Sequence, residues 1–238
     1  MSWMSGAGVK LSIVMPGYNE AARGATAVKQ VLEVEFPCEY ELVVVDDGST
    51  DATPTILDSF DDPRVRVFRQ RNQGKGGAVR TGVAQARGES LVILDADLEY
   101  DPRDIPRLLE PVLGGRAEVV FGSRQFGSHT AFSFWYVMGN KFVTTFANVM
   151  FNCYISDLET CYKLMPTALY RDLKVKSNGF GMEAEVTGKL LRRGVRPFEV
   201  PISYSARSRA EGKKITWVDG VEALWIIVRE RMRRRPKP

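Results

Sequence analysis

The sequence predicts an α/β fold, a single domain with a mostly parallel sheet flanked by helices. Three observations point there. Short apolar runs rich in Val and Ile alternate with helix-like segments through the first half of the chain, each run stops at turn residues, and acidic or basic groups stand just beyond most of those stops. Ligands of open parallel sheets bind beyond the carboxyl ends of the strands, so these polar ends are expected to converge on one edge.

Leu11-Ser12-Ile13-Val14-Met15 is the first run and ends at Pro16-Gly17. Leu42–Val45 is the second, ending at Asp46-Asp47-Gly48, and Val65–Phe68 the third. Leu91–Leu94 ends at Asp95, and Val119–Phe121 ends at Gly122-Ser123. Runs of this length and composition, closed by turn formers, read as buried strands. Helix-like segments lie near 20–34, 51–60, 76–87 and 102–113. The repeated strand, helix, strand order predicts parallel pairing with helices on both faces. The second half is less regular. Residues 132–151 place Phe132, Trp135, Phe142, Phe146 and Val149 on one helical stripe and Asn140, Thr144 and Asn148 on another. A helix near 182–193, a strand at 196–204, a basic loop at 206–214 and an amphipathic helix at 217–234 follow. Residues 1–238 read as one domain, with a first half at about 10–124, a second at about 125–220 and a basic helix and tail at 217–238.

With 238 residues the chain is long enough for one substantial core. Its net charge of +4 is too mild to point to nucleic acid. Three cysteines without a C-x-x-C spacing argue against a disulfide framework and for a reducing compartment. The first ten residues hold no apolar core of a signal peptide. No run reaches the roughly 18 apolar residues of a spanning helix. A soluble or peripheral protein is expected.

Asp95-Ala96-Asp97 stands at the end of the fourth strand. On extended backbone, residues two apart point the same way, so both carboxylates would face one cation, with Glu99 continuing the alternation. Hard oxygen ligands suit magnesium or manganese bridging protein to substrate phosphates. Asp46 and Asp47 are suited to a base N–H or a ribose hydroxyl, while Ser49, Thr50 and Asp51 read as a cap and first turn of the next helix. Asn72-Gln73-Gly74-Lys75-Gly76-Gly77 could cradle phosphate with backbone N–H groups and Lys75. It is not a Walker A loop, because Arg69 and Gly76 stand where Gly and Ser or Thr belong. No G-x-G-x-x-G follows the first strand. A kinase and a dinucleotide-dependent dehydrogenase are disfavoured.

Pro16-Gly17-Tyr18-Asn19-Glu20, Asp46-Asp47-Gly48-Ser49-Thr50-Asp51, Asn72-x-Gly74-Lys75-Gly76 and Asp95-x-Asp97, in this order, resemble the family 2 glycosyltransferases of the Rossmann-like GT-A fold. Gly122-Ser123-Arg124 and Asp157-Leu158-Glu159-Thr160-Cys161-Tyr162-Lys163 resemble the polyprenyl-phosphate mannose and glucose synthases within that family. The resemblance spans about residues 10–220. It implies a metal-dependent, inverting hexose transfer, mannose ahead of glucose, from GDP-mannose or UDP-glucose to a polyprenyl phosphate. Pro16, Tyr18, Asn19, Glu20, Asp47 and Ala96 would lie against the donor, and Asp95, Asp97 and Glu99 would hold Mg2+ or Mn2+. Family members often carry Gln where Glu99 stands. Arg209 and Lys213 would close over the diphosphate, where positive charge spreads the charge of the leaving group. Ser123, Arg124, Asn140 and Lys163 fall to the acceptor side, with Asp97, Arg124 and Asp157 as the catalytic set. The subgroup often has Ser, Gly and Arg where Thr160, Cys161 and Lys163 stand.

A phosphate monoester is mostly dianionic at neutral pH and needs positioning rather than a base. A hydroxyl acceptor would need one, and Asp157, Glu183 and Glu185 are the candidates. The stripe of 132–151 and the arginines 229, 231, 233, 234 and 235 fit a membrane surface, placing the protein in the cytoplasm, peripheral at the inner face. His129 is assigned no role. The rivals are a glycosyltransferase with a soluble or glycan hydroxyl acceptor, a non-catalytic nucleotide-sugar-binding module, and a nucleotidyltransferase, which would release pyrophosphate.

Overall fold

The computed structural model describes residues 10–125, 127, 134–206 and 217–233. Arg209, Lys213, His129 and the last arginines lie outside the described residues. Seven strands form one sheet: β1 (Leu11–Gly17), β2 (Tyr40–Asp46), β3 (Val65–Arg69), β4 (Ser90–Ile93), β5 (Val120–Ser123), β6 (Lys163–Pro166) and β7 (Phe198–Pro201). Their order is β3-β2-β1-β4-β6-β5-β7. All pairings are parallel except those of β6, which runs antiparallel to β4 and β5. The five strands expected from apolar runs are present, and β7 is shorter than the expected 196–204. β6 was not expected. It is four residues long, opens on a lysine and closes on a proline, so it lacks the pattern by which a strand is read.

The helices are α1 (Gly24–Leu32), α2 (Thr53–Asp58), α3 (Lys75–Gln85), α4 (Ile105–Leu113), α5 (Phe134–Phe151), α6 (Thr167–Leu173), α7 (Gly181–Arg192) and α8 (Trp217–Met232). In α4 the buried Ile105, Leu108, Leu109 and Val112 follow the helical period and turn one apolar face to the sheet. In α3, Gly82 lets the helix lie directly on the strands, because a Cβ there would fall 2.4 Å from Val14 Cγ1. Ser49 and Thr50 do not cap α2, which begins only at Thr53. Ser49 Oγ accepts from the Asn19 N–H (2.9 Å), and Asp51 accepts from the N–H groups of Thr53 (2.9 Å) and Ala21 (3.1 Å), stitching the ends of β1 and β2 together.

The main core fills the space between sheet and helices, and a second cluster, including Val143, Ala147, Ala184, Ala223 and Ile227, joins α5, α7 and α8. The stripe of Thr144 and its neighbours faces inward: Leu158 N–H donates to Thr144 Oγ1 (3.2 Å), and Asn148 brackets Ile155 through both backbone groups (2.8 and 3.0 Å). Of the aromatic stripe, Trp135 (80%), Phe142 (63%) and Val149 are exposed, Phe146 packs partly buried against the second cluster, and Phe132 lies outside the described residues. On α8, Val218, Val221, Trp225 and Met232 are also exposed. Among the described residues no helix is long and apolar enough to cross a membrane.

Candidate active site

Strand order reverses between β1 and β4, and a cavity of about 460 Å³ opens there at the carboxyl ends of the strands. Because β6 is antiparallel, the segment that enters it, Asp157–Tyr162, arrives at the same edge. The cavity is bordered by Pro16, Tyr18, Glu20, Asp47, Lys75, Asp95, Ala96, Asp97, Glu99 and Arg124 from the expected set. It is bordered as well by Tyr100, Glu159, Cys161, Phe180, Glu183 and Tyr204.

Several expected ligand groups turn out to be scaffold. Asp46 is buried and its Oδ1 accepts from the Ser49 N–H (3.0 Å), so it holds the turn after β2 rather than bordering the cavity. Asp47 reaches the cavity wall, but its Oδ1 accepts from Gln70 Nε2 (2.6 Å) and the Gln73 N–H (2.9 Å) and its Oδ2 from the Gly74 N–H (2.8 Å). The Gly76 N–H donates to Asn178 O (2.7 Å). These N–H groups of the glycine-rich loop are therefore used within the protein, contrary to the expected phosphate cradle. Its glycines serve close packing: a Cβ on Gly76 would sit 2.0 Å from Ser177 O, and Gly74 has φ +82 with Asn178 O 2.6 Å from its Cβ position. Asn19 is not among the residues that border the cavity, and its Oδ1 accepts from the Thr50 N–H (2.8 Å).

Asp95 and Asp97 share the cavity wall. The alternation expected to carry on to Glu99 breaks at Leu98, whose φ is +64. Asp97 Oδ1 instead accepts from the Glu99 N–H (3.1 Å), and Glu99 Oε2 accepts from the Tyr204 hydroxyl. Among the described residues no three metal-ligating side chains form a cluster. The donor set that fits a hard divalent cation is therefore Asp95 with Asp97, completed by ligand oxygens, as Mg2+ commonly requires.

On the opposite wall Arg124 donates through Nε and Nη2 to Asp157 (2.7 and 2.8 Å), which is fully buried and also accepts from Asn140 Nδ2 (3.0 Å). Burial alone would raise the Asp157 carboxyl; Arg124 and Asn140 outweigh it and hold it below the ordinary carboxylate range. Asn140 thus orients Asp157 and does not border the cavity. Ser123 Oγ pairs with Ser156 Oγ (2.7 Å) in the interior. Lys163 does not reach the cavity either. Its buried Nζ donates to the carbonyls of Leu158 (3.0 Å) and Thr160, and burial lowers its pKa to about 8.

Lys75 bridges the two walls: its Nζ lies 2.8 Å from Asp95 Oδ2 and 2.7 Å from Glu183 Oε1. Burial would depress this ammonium, but the carboxylates outweigh it and hold it well above its usual value. Glu159, in the segment that leads into β6, also stands in the wall, and burial followed by the charge of Glu183 pushes its pKa to about 7. Phe180, Tyr100 and Tyr204 carry no sequence signal that separates a cavity wall from a core.

The chain matches the model of glycosyl transferase family 2 over residues 12–173, and it belongs to that family. It is 38% identical over 125 residues to glycosyltransferase AglD of Haloferax volcanii, covering 50% of this chain and 20% of that one. It is 38% identical over 128 residues to an undecaprenyl-phosphate 4-deoxy-4-formamido-L-arabinose transferase of Pseudomonas fluorescens, covering 48% of this chain and 36% of that one. The chain thus spans well under two thirds of the length of these relatives. Among solved structures it resembles glucosyl-3-phosphoglycerate synthase from Mycobacterium tuberculosis, in complex with Mn2+, UDP and glucosyl-3-phosphoglycerate. That match has a TM-score of 0.69 at 20% identity, covering 94% of this chain and 80% of the other, and it establishes the shared GT-A fold.

Proposed function

We propose that this glycosyltransferase moves a hexose from a nucleoside diphosphate sugar, GDP-mannose or UDP-glucose, to a polyprenyl phosphate, with inversion and with Mg2+ or Mn2+. The observation that carries this reading is the two-sided cavity, with Asp95 and Asp97 on one wall and the rigidly held Arg124 on the other. The relative named for undecaprenyl phosphate supports the acceptor class.

Asp95 and Asp97 would hold the cation, which when bound neutralises charge on the donor diphosphate. Pro16, Tyr18 and Glu20 border the nucleoside end. Arg124, aimed by Asp157 and Asn140, orients the acceptor phosphate, whose own oxygen is the nucleophile. A guanidinium offers five N–H donors and Asp157 takes two side-chain ones, so donors remain for a phosphate. No base is needed for a dianionic nucleophile. Arg209 and Lys213 would supply positive charge to the donor diphosphate. The exposed apolar faces of α5 and α8, with Arg231 and Arg233 beside the latter, lie against the membrane surface on the cytoplasmic side.

The test is release of nucleoside diphosphate from GDP-mannose and from UDP-glucose, with Mg2+ or Mn2+, with and without a short polyprenyl phosphate. Release that requires both metal and lipid phosphate supports the reading and identifies the donor. Release indifferent to the lipid phosphate moves the acceptor to a hydroxyl, and release of pyrophosphate or of nothing overturns the reading.

A further inference from the structure

Two carboxyl groups in the cavity are left without work by a phosphate acceptor. Glu183, at the start of α7, is 5% exposed. Its Oε1 meets Lys75 at 2.7 Å, while its Oε2 is buried with no hydrogen-bond partner among the described residues. A buried polar atom left without a partner is costly, so this one awaits a ligand. Glu159 stands in the same wall, and among the described residues no hydrogen bond or ion pair to it is found. Neither group is needed to deprotonate a phosphate monoester, and an anionic carboxylate set against the acceptor phosphate would repel it. The ligands that suit them are neutral hydroxyls.

We propose that Glu159 and Glu183 form the wall that reads the hydroxyls of the transferred hexose, a role that rests on the donor reading above. The two are chemically complementary. Glu183 meets the Lys75 ammonium through one carboxylate oxygen and offers the other as a hydrogen-bond acceptor. Glu159 titrates at about 7, because burial and the charge of Glu183 oppose its ionisation, so near neutrality it is protonated in part and also donates. Arg124, Lys163 and Asp157 are the other charged groups that act on it. An acceptor beside a donor matches neighbouring hydroxyls of a sugar. Lys75 links this wall to Asp95, so the sugar and diphosphate ends of the donor are registered by one ammonium.

Calorimetric titration with GDP and GDP-mannose, and with UDP and UDP-glucose, in Mg2+ and without lipid, tests the assignment. Glu183→Gln and Glu159→Ala should weaken the sugar nucleotide roughly tenfold to a hundredfold and leave the bare nucleoside diphosphate within about twofold. Glu159→Gln keeps a donor and an acceptor and should stay near wild type. If both ligands weaken together, or neither does, the pair is structural and the inference falls. If Glu183→Gln fails to fold, Glu159→Ala against Glu159→Gln decides alone. If wild type binds none of the four ligands, the donor reading fails and takes this inference with it.

Discussion

Glu183 and Glu185 stand two residues apart on α7 and serve opposite sides of the molecule. Glu185 faces α8, away from the cavity. Its Oε2 accepts from the N–H groups of Lys176 (3.0 Å) and Ser177 (2.7 Å), and its Oε1 meets the Lys189 ammonium at 2.7 Å. Arg229 approaches from α8 at 3.7 Å, and Glu230, fully buried, gathers Arg192 and Arg233. Glu183 faces the cavity with one oxygen unmatched. The scaffold carboxylate has one oxygen hydrogen-bonded by two backbone N–H groups and the other in an ion pair without a hydrogen bond, whereas the cavity carboxylate has one ion-paired oxygen and one with neither among the described residues. Asp46, Asp47 and Asn140 likewise hold turns and neighbouring side chains in place, whereas Asp95 and Asp97 border the cavity.

The contrast breaks most sharply at Asp97. Asp97→Ala should lower transfer about a thousandfold or more while shifting the unfolding free energy by no more than about 1 kcal/mol, since its side chain borders the cavity rather than the core. Parallel kinetics and urea denaturation check this. Glu185→Ala should do the reverse. Removing one partner of a buried ion pair costs about 3–5 kcal/mol, read from the denaturation midpoint, and a loss below about 1 kcal/mol would show that the α7–α8 charges add nothing.

pH sharpens the comparison further. Glu185 is held at about 2, below its ordinary 4.5, by Lys189 and the Ser177 and Lys176 N–H groups acting against burial. Its stabilisation is present above pH about 4.5 and is lost as pH falls from there towards about 2. Glu159 is raised to about 7, so between about 4.5 and 7 the folded state holds a proton that the unfolded chain has released, and stability falls as pH rises. Glu159→Gln should flatten that decline, and Glu185→Gln should remove the acid loss. Melting temperatures across pH 3–8 would show both. The smallest effect on folding belongs to the exposed aromatics: Trp135→Ser and Trp225→Ser should change stability by about 0.5 kcal/mol or less. They should reduce co-sedimentation with anionic vesicles severalfold, and unchanged co-sedimentation would remove α5 and α8 from the membrane reading.

The first half of the fold was legible because buried parallel strands write themselves as apolar runs with turn residues at their ends. β6 and α6 were not, since a four-residue strand with a buried lysine and a seven-residue helix carry no periodic signal. The convergence of Asp95, Asp97 and Arg124 on one cavity was legible from their place at strand ends. The scaffold roles of Asp46, Asp47, Asn140 and Lys163 were not. Residue type tells what a group can bind, while direction decides what it meets. The positive φ at Leu98, which turns Glu99 towards Tyr204, has no signal in a leucine. Glu159 shows its character only when β6, running backwards, brings it beside Glu183.

The central claim is that the acceptor is a phosphate monoester. Its most direct test follows radiolabelled hexose from the donor into the organic phase, with a polyprenyl phosphate in one sample and the matching polyprenol in the other. Label that enters the organic phase only with the phosphate, and fails to do so with Arg124→Ala, is the predicted result. Label carried equally by the polyprenol, or found on a water-soluble product without lipid, would contradict the account and assign this cavity to a hydroxyl acceptor.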